Sequence, residues 1–226
     1  FDEEQYAVAI PKLMEYLRVN VSQEAKLIHD VHEHLSPTMA LGFARRMEPY
    51  RMFYVEDILP PEQIAWFANI RQVCSTPMAM GEICVTQEQC VRLIADRLSD
   101  FIRIRVSAVG GITPARKVAI LAETFGVRTA FQEGGDHDPI NQMAAYHIDM
   151  ASHGFGIQED NHYGGVSQEM FPGIGRIERG YLYGSGKPGL GIDIDEKLVA
   201  KYPMVVNVPS ENSFTPRALD GSPVRP

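Results

Sequence analysis

The sequence predicts an α/β protein, a (β/α) barrel of the TIM type, and three observations lead to that fold class. Short apolar segments alternate with longer amphipathic ones along most of the 226 residues, a pattern typical of parallel strands joined by helices. Asp30, Glu56 and Glu82 follow one another at intervals of 26 residues, about the length of one βα unit. Each of these acids also follows an apolar segment, and barrel active sites form at the carboxyl ends of the strands.

The first half of the chain supplies three of the predicted strands. Residues 3–20 are predicted to form a helix that leads into a strand at residues 26–31. Ser36 and Pro37 suit the N-cap and the first position of a helix at residues 37–48. The pattern then predicts a strand at 51–55, a helix at 62–73, a strand at 77–81 and a helix at 87–98.

The second half continues the alternation. A strand at 101–108 and a Gly110–Gly111 turn precede a helix at 114–125, which Gly126 ends. A strand at 127–132, a helix at 139–151 and a short strand at 155–158 complete the pattern. A flavodoxin-like open sheet would alternate in the same way, but it gives no reason for a carboxylate at successive strand ends. The barrel is therefore favoured.

Two regions are predicted. Residues 1–163 should form a partial barrel of about six βα units, whereas a complete barrel has eight. Residues 164–226 lose the periodicity and begin with frequent glycine and proline, so we expect a tail that packs on the barrel and contains a short helix at 195–201. The two missing units would precede residue 1, and we expect the chain to be a piece of a longer protein.

The composition excludes several classes of function. The chain has 21 basic and 29 acidic residues, so no basic stripe is available for nucleic acid. Because the chain is acidic overall, an anionic substrate would need a local cation. The sequence contains no apolar run long enough for a membrane helix, and its three cysteines show no zinc-ligand spacing. These features predict a soluble cytoplasmic protein with free thiols.

The acids at the strand ends predict a metal site. Asp30, Glu56 and Glu82 should converge on one mouth, and carboxylate oxygens suit Mg²⁺. A single such acid would be better explained as a solvated loop residue, but three at equal spacing are harder to explain in that way. His32 lies two residues after Asp30, so both should share a face, where His32 either transfers a proton or orients a ligand. Asp57 should face away from the site and serve the structure.

Several segments carry a family resemblance, among them HDVHE at 29–33, VED at 55–57, GGIT at 110–113, FGIQE at 155–159 and PGLG at 188–191. They resemble, in colinear order, the mannonate dehydratases and related starvation-sensing proteins of the enolase superfamily. The resemblance implies a mandelate racemase/muconate lactonizing-like barrel with Mg²⁺ on Asp30, Glu56 and Glu82. It also implies that His32 is the acid that releases the leaving hydroxyl and that Glu159 contacts the substrate. The proton-abstracting residues and an N-terminal capping domain would precede residue 1.

One segment departs from that family. Phe131 is followed by Gln132 and Glu133, where the family usually has a substrate-contacting histidine and then glycine. Gln132 can hydrogen-bond a sugar hydroxyl but cannot carry a proton, and we expect both Gln132 and Glu133 to bind substrate. A racemase is disfavoured, because the strand at 101–108 offers no aspartate to pair with that histidine.

The resemblance implies a hydro-lyase that converts a D-mannonate-like sugar acid to the 2-keto-3-deoxy acid by removing the proton beside the carboxylate. Two alternatives remain. The first is a dehydratase for another acid sugar such as gluconate. The second is a catalytically silent binding or regulatory relative. The family also implies a homo-oligomer.

Overall fold

The structure is a computed structural model that describes residues 1–133, 137–203, 220 and 222. The helices in these ranges are α1 (Glu3–Asn20), α2 (Pro37–Met47), α3 (Ala65–Val73), α4 (Gln87–Ala95), α5 (Ile112–Phe125), α6 (Pro139–Met150), α7 (Val166–Met170) and α8 (Glu196–Val199). The strands are β1 (Ile28–Asp30), β2 (Tyr54–Glu56), β3 (Met78–Met80), β4 (Phe101–Ile102), β5 (Arg128–Thr129), β6 (Arg176–Glu178) and β7 (Tyr181–Tyr183). Strand and helix therefore alternate from β1 to α6, as the sequence predicts.

The first five strands form one parallel sheet in the order β1-β2-β3-β4-β5. A single parallel bridge between Thr129 and Phe155 extends this order beyond β5. Strand order that follows the chain without a reversal is typical of a barrel wall, whereas a doubly wound open sheet reverses at a switch point. The parallel α/β arrangement confirms the predicted class. In the described part of the chain, the sheet keeps β1 at one edge and the Phe155 segment at the other.

The strands are shorter than the apolar segments that predict them. The predicted strand at 101–108 retains only Phe101–Ile102 as ladder, and the one at 155–158 is reduced to the bridge at Phe155. The predicted helix at 62–73 is divided into a 3₁₀ turn at Pro61–Gln63 and α3. The sequence also gave no sign of α7 or of the antiparallel β6–β7 hairpin.

Apolar side chains pack on both sides of the sheet. The large core lies between the sheet and its helices and includes Val55, Phe67, Leu93 and Ala122, all of them fully buried. A smaller cluster lies on the other side, with Tyr54 from β2, Ala79 from β3, Phe101 from β4 and Ala130 just after β5. Successive residues of a strand alternate between the two sides, so this smaller cluster forms an inner layer on the face of the sheet opposite the helices.

The predicted tail contacts α6. The ring of His147 hydrogen-bonds the carbonyl oxygen of Leu190 at 3.1 Å, and a side chain at Gly184 would meet the ring of Tyr146. The short helix predicted at 195–201 corresponds to α8, whose N-cap Asp195 accepts from the N–H of Leu198. Residues 204–219, 221 and 223–226 of that tail lie outside the described residues. No described helix combines the length and apolar character needed to cross a membrane.

Candidate active site

The site lies one layer above the inner apolar cluster. Glu56 comes two residues after Tyr54, and Arg103 comes two residues after Phe101. Gln132 likewise follows Ala130. Residues two apart along an extended segment point to the same side, so this layer carries polar side chains on the face opposite the helices, at the carboxyl end of the sheet. Such a layer is where a barrel places its chemistry.

The three predicted metal ligands reach this mouth by two routes. Asp30 and Glu56 end β1 and β2 and are register partners in the sheet. Glu82 lies two residues beyond β3, where Gly81 has a φ of 139° and turns the chain. A side chain at Gly81 would lie 3.1 Å from the backbone of Arg103, so this turn requires glycine.

Two overlapping groups of oxygen and nitrogen atoms form around Glu82. In one group, ligand atoms of Asp30, His32 and Glu82 all lie within 4.8 Å of one another. In the other, ligand atoms of Glu56, Asp57 and Glu82 meet the same limit. Glu82 therefore joins the two predicted ligands Asp30 and Glu56, which lie in separate groups. Carboxylates at this spacing have the chemistry of a hard-cation site.

The position of Asp57 corrects the sequence prediction. It was expected to face away from the site, but its carboxylate lies in the group with Glu56 and Glu82. Its φ is +36°, so the strand alternation has already ended and the side chain returns toward the mouth. Asp57 is 2% exposed, and its Oδ1 accepts a hydrogen bond from the N–H of Gly81 at 3.2 Å. Strand alternation therefore cannot be extended past a residue with a positive φ.

His32 lies beside Asp30 because of a turn and not because of strand alternation. β1 ends at Asp30, and His32 has a φ of 54°. The backbone N–H of His32 donates to Oδ1 of Asp30 at 2.9 Å, which closes the turn. The predicted proximity is confirmed, since a ring nitrogen of His32 lies in the group with Asp30 and Glu82. His32 is exposed, so its ring is accessible from the mouth.

Two arginines at this mouth were missed by the sequence analysis. Arg103 is 4% exposed and forms ion pairs with Glu56 and with Oε2 of Glu159, the latter at 3.0 Å. Arg105 forms an ion pair with Glu82. Both lie just after β4 at positions of the same parity as Phe101, and this alternation was the available signal. They are local cations of the kind that an anionic substrate would need.

Burial changes the protonation of the acids. Burial raises the pKa of Glu56 to about 7, although the Arg103 guanidinium opposes that shift. Burial also raises the pKa of Asp30, and the hydrogen bond from His32 acts against it. The pKa of Asp57 lies well above its usual range, chiefly because of burial and then because of the charge of Glu56. A cation among these groups would favour their ionised forms.

The remaining predicted site residues line one side of the mouth. Oε2 of Glu159 accepts from Arg103 and from the backbone N–H of Glu133, both at 3.0 Å. Gln132 is 6% exposed, and its Oε1 accepts no hydrogen bond from any residue in the described ranges. The Glu133 side chain is fully buried and turns toward α6, where its Oε2 accepts from Asn141 at 2.8 Å.

These positions agree with the predicted set only in part. Asp30, His32, Glu56 and Glu82 meet at the mouth, and Gln132 and Glu159 border it. The Glu133 carboxylate instead lies behind this wall. The arrangement can bind a hard cation through its carboxylates, pair an anion with arginine, and offer one exposed imidazole for proton transfer. Such groups can stabilise the negative charge that develops beside a carboxylate and protonate a departing hydroxyl.

Comparison with known proteins shows the family of the chain. The family model "Enolase C-terminal domain-like" matches residues 8–198. A D-galactonate dehydratase family member of Paenibacillus sp. (strain JDR-2) is 48% identical over all of this chain and 56% of its own length. A D-galactonate dehydratase family member of Musicola paradisiaca is 45% identical over all of this chain and 54% of its own.

A solved structure of similar sequence has a closely similar fold. The crystal structure of an enolase from Pantoea ananatis, with bound D-gluconate and Mg, superposes with a TM-score of 0.96 at 43% identity. The match covers all of this chain and 54% of that one. The chain thus spans about half the length of the relatives it matches.

Proposed function

Because the chain belongs to the enolase C-terminal domain-like family, we propose that it is the metal-binding barrel portion of a Mg²⁺-dependent acid-sugar dehydratase, a hydro-lyase. The observation that carries this proposal is the meeting of Asp30, His32, Glu56 and Glu82 at one end of the parallel sheet. The relatives described as D-galactonate dehydratase family members support the reaction class. The activity is proposed for the full-length protein.

The donor set fits Mg²⁺. Asp30, Glu56 and Glu82 offer only carboxylate oxygens, and Glu82 joins the two groups in which the others lie. We propose these three as the ligands, as the sequence predicted. Asp57 supports the turn at Gly81 that carries Glu82. When bound, Mg²⁺ would supply positive charge beside the substrate carboxylate, where negative charge develops as the neighbouring proton is removed.

The chain's own side chains have separable roles in this reaction. Arg103 and Arg105 give the mouth positive charge and so offset the repulsion between its acids and an anionic substrate. His32 donates a proton to the departing hydroxyl, because its ring is exposed and adjacent to the proposed ligands. Gln132 Oε1 and Glu159 accept hydrogen bonds from sugar hydroxyls, with Glu159 held in place by Arg103.

The identity of the sugar acid is a finer proposal. The sequence resemblance favours a D-mannonate-like substrate. D-gluconate is the second candidate, because the Pantoea ananatis relative holds D-gluconate together with Mg. Gln132 stands where mannonate dehydratases usually have histidine, and one exchanged hydrogen-bonding side chain is enough to change which hydroxyl is recognised.

The test is turnover of D-mannonate, D-gluconate and D-galactonate by the full-length protein, with and without Mg²⁺, followed through the 2-keto-3-deoxy product. We expect Mg²⁺-dependent turnover of at least one acid and a loss of about 100-fold or more in kcat for His32→Asn. His153→Asn is a matched control at a histidine distant from the mouth and should leave kcat unchanged. Mg²⁺ binding without turnover of any of these acids would contradict the proposal and favour the silent binding relative.

A further inference from the structure

We propose that Glu133 is a positioning residue, which ties the end of the β5 segment to α6 and thereby fixes the backbone N–H that holds Glu159. This inference rests on the proposed function, because it assigns Glu133 a place in the same site. It replaces the direct contact with substrate that the sequence predicts for Glu133.

The side chain of Glu133 is an internal anchor. Glu133 is fully buried, and its Oε2 lies 2.8 Å from Nδ2 of Asn141 and 3.3 Å from Nδ1 of His137. Asn141 belongs to the first turn of α6, which Asp138 caps by accepting from the N–H groups of residues 140 and 141. The carboxyl group of Glu133 therefore joins the segment after β5 to a capped, ordered helix end.

The backbone of Glu133 acts on the other side. Its N–H donates to Oε2 of Glu159 at 3.0 Å, and the same oxygen accepts from Nη2 of Arg103 at 3.0 Å. Two donors on one oxygen restrict the rotation of the Glu159 carboxylate and leave its Oε1 for other partners. Because Arg103 is itself buried and paired with Glu56, the backbone N–H of Glu133 is the donor that depends on this anchor.

The burial of Glu133 opposes a direct contact with substrate. Glu133 is fully buried, and this burial raises the pKa of its carboxyl group to about 8. A buried side chain that supports a site residue through hydrogen bonds is typical of groups behind an active site, and loss of such a group costs about tenfold or more in activity.

The test is a double-mutant cycle in the full-length protein, read through the dissociation constant for D-gluconate in the presence of Mg²⁺ by calorimetry. We expect Glu133→Ala to weaken binding by about tenfold in the wild-type background. In the Glu159→Ala background the same change should cost less than about twofold, because residues that act through one another are not additive. An equal loss in both backgrounds would overturn the proposal, since it would indicate a contact of Glu133 with the ligand itself.

Three variants separate positioning from general damage. Glu133→Gln keeps an acceptor for Asn141 and should retain binding within about threefold. Glu169→Ala removes the same atoms from an exposed site and should change nothing. Asn141→Ala removes the anchor from the helix side and should reproduce the coupling to Glu159. Asn141→Ala replaces Glu133→Ala in the double-mutant cycle if Glu133→Ala does not fold.

The outcome is distinguishable from failure of the proposed function. Absence of turnover with intact D-gluconate binding would remove the dehydratase assignment and leave the cycle readable. If the wild-type protein does not bind D-gluconate, crystal structures of wild type and Glu133→Ala decide the matter. We expect Glu159 Oε2 to leave the N–H of residue 133 in the variant. An unmoved Glu159 carboxylate would refute the inference.

Discussion

Replacement of Arg103 by methionine tests the central ion pair of the mouth. The Arg103 side chain is 4% exposed and contacts Glu56, whose side chain is also 4% exposed. It also donates to the carbonyl oxygen of Ala130 at 3.1 Å and to Glu159 at 3.0 Å. Methionine is apolar and nearly as long, so Arg103→Met removes these donors and the charge while it retains much of the packing.

The magnitude follows from the burial of each partner. Removal of one member of a buried pair costs about 3–5 kcal/mol, because the remaining charge stays buried without a partner. This cost applies to Glu56, whose buried charge would lose its arginine partner. The side chain of Glu159 is 38% exposed, and water can solvate it, so its pair adds no more than about 1 kcal/mol. We expect a loss of about 3 kcal/mol in the free energy of unfolding when Glu56 is ionised.

The loss should depend on pH, and its sign can be worked out. Burial raises the pKa of folded Glu56 to about 7, above the ordinary value of 4.5, even with Arg103 present. Without Arg103 this folded pKa rises further. A raised carboxyl pKa means that folding loses stability as pH rises through the interval between the unfolded and folded values. The variant continues to lose stability above pH 7, whereas the wild type does not.

Urea denaturation in metal-free buffer at pH 5.5 and pH 8.5 measures both quantities. We expect the full difference of about 3 kcal/mol at pH 8.5. At pH 5.5 only about 1 kcal/mol should remain, from the lost hydrogen bonds. In the Glu56→Leu background the effect of Arg103→Met should be small at both values. A difference that is independent of pH, or below about 1 kcal/mol at pH 8.5, would refute this account of the pair.

Two further predictions concern stability away from the metal ligands. Burial raises the pKa of Asp149 to about 7, so the free energy of unfolding of the wild type should fall as pH rises from about 4 to 7. Asp149→Asn keeps the acceptor for Thr129 but has no charge to bury. Relative to the wild type, this variant should gain about 3 kcal/mol over that pH interval. Parallel urea titrations across this interval measure it, and an unchanged difference would show that Asp149 is not buried as described. A side chain at Gly156 would lie 2.5 Å from the carbonyl oxygen of Thr129 and 2.8 Å from Phe101, so Gly156→Ala should lower stability by about 1–3 kcal/mol. Gly164→Ala, where nothing lies within 4 Å, is the matched control, and equal urea midpoints for the two variants would contradict the steric argument.

Sequence periodicity predicted the fold because it reports two regular properties of a βα unit. Apolar alternation located the strands, and the interval between Asp30 and Glu56 matches a sheet register in which the two residues are direct partners. Strand ends were less predictable. Apolar residues after Ile102 remain buried, and single backbone hydrogen bonds continue past the two-residue ladder, such as those from the N–H of Arg103 to Met80 and from the N–H of Gln132 to Ile104.

The site was predictable only where residue type and position agreed. Acids at strand ends indicated a cation site, but Arg103 was missed although its parity matches that of Phe101 in the inner layer. The predicted orientation of Asp57 was wrong, because strand parity was applied to a residue whose positive φ had already ended the strand. Glu133 was expected at the substrate, yet its neighbour Gln132 follows Ala130 on the inner side, and alternation directs the Glu133 side chain to the opposite side, where it contacts Asn141. Parity holds where extended pairing continues past the ladder, as at Arg103, and fails where a positive φ turns the chain, as at Asp57.

The charges of the mouth explain why acids and arginines occur together there. Asp30, Glu56, Glu82 and Glu159 bring four carboxylates, and Arg103 and Arg105 neutralise two of them through ion pairs. Asp57 adds little charge, because its pKa lies well above its usual range. The remaining charge is about −2, which a divalent cation balances. Without the arginines, the same cation would leave a net negative mouth that repels a sugar acid. Under the proposed function, Arg103 and Arg105 would therefore allow a cation and an anionic substrate to bind at one site, on a chain whose overall charge is −8.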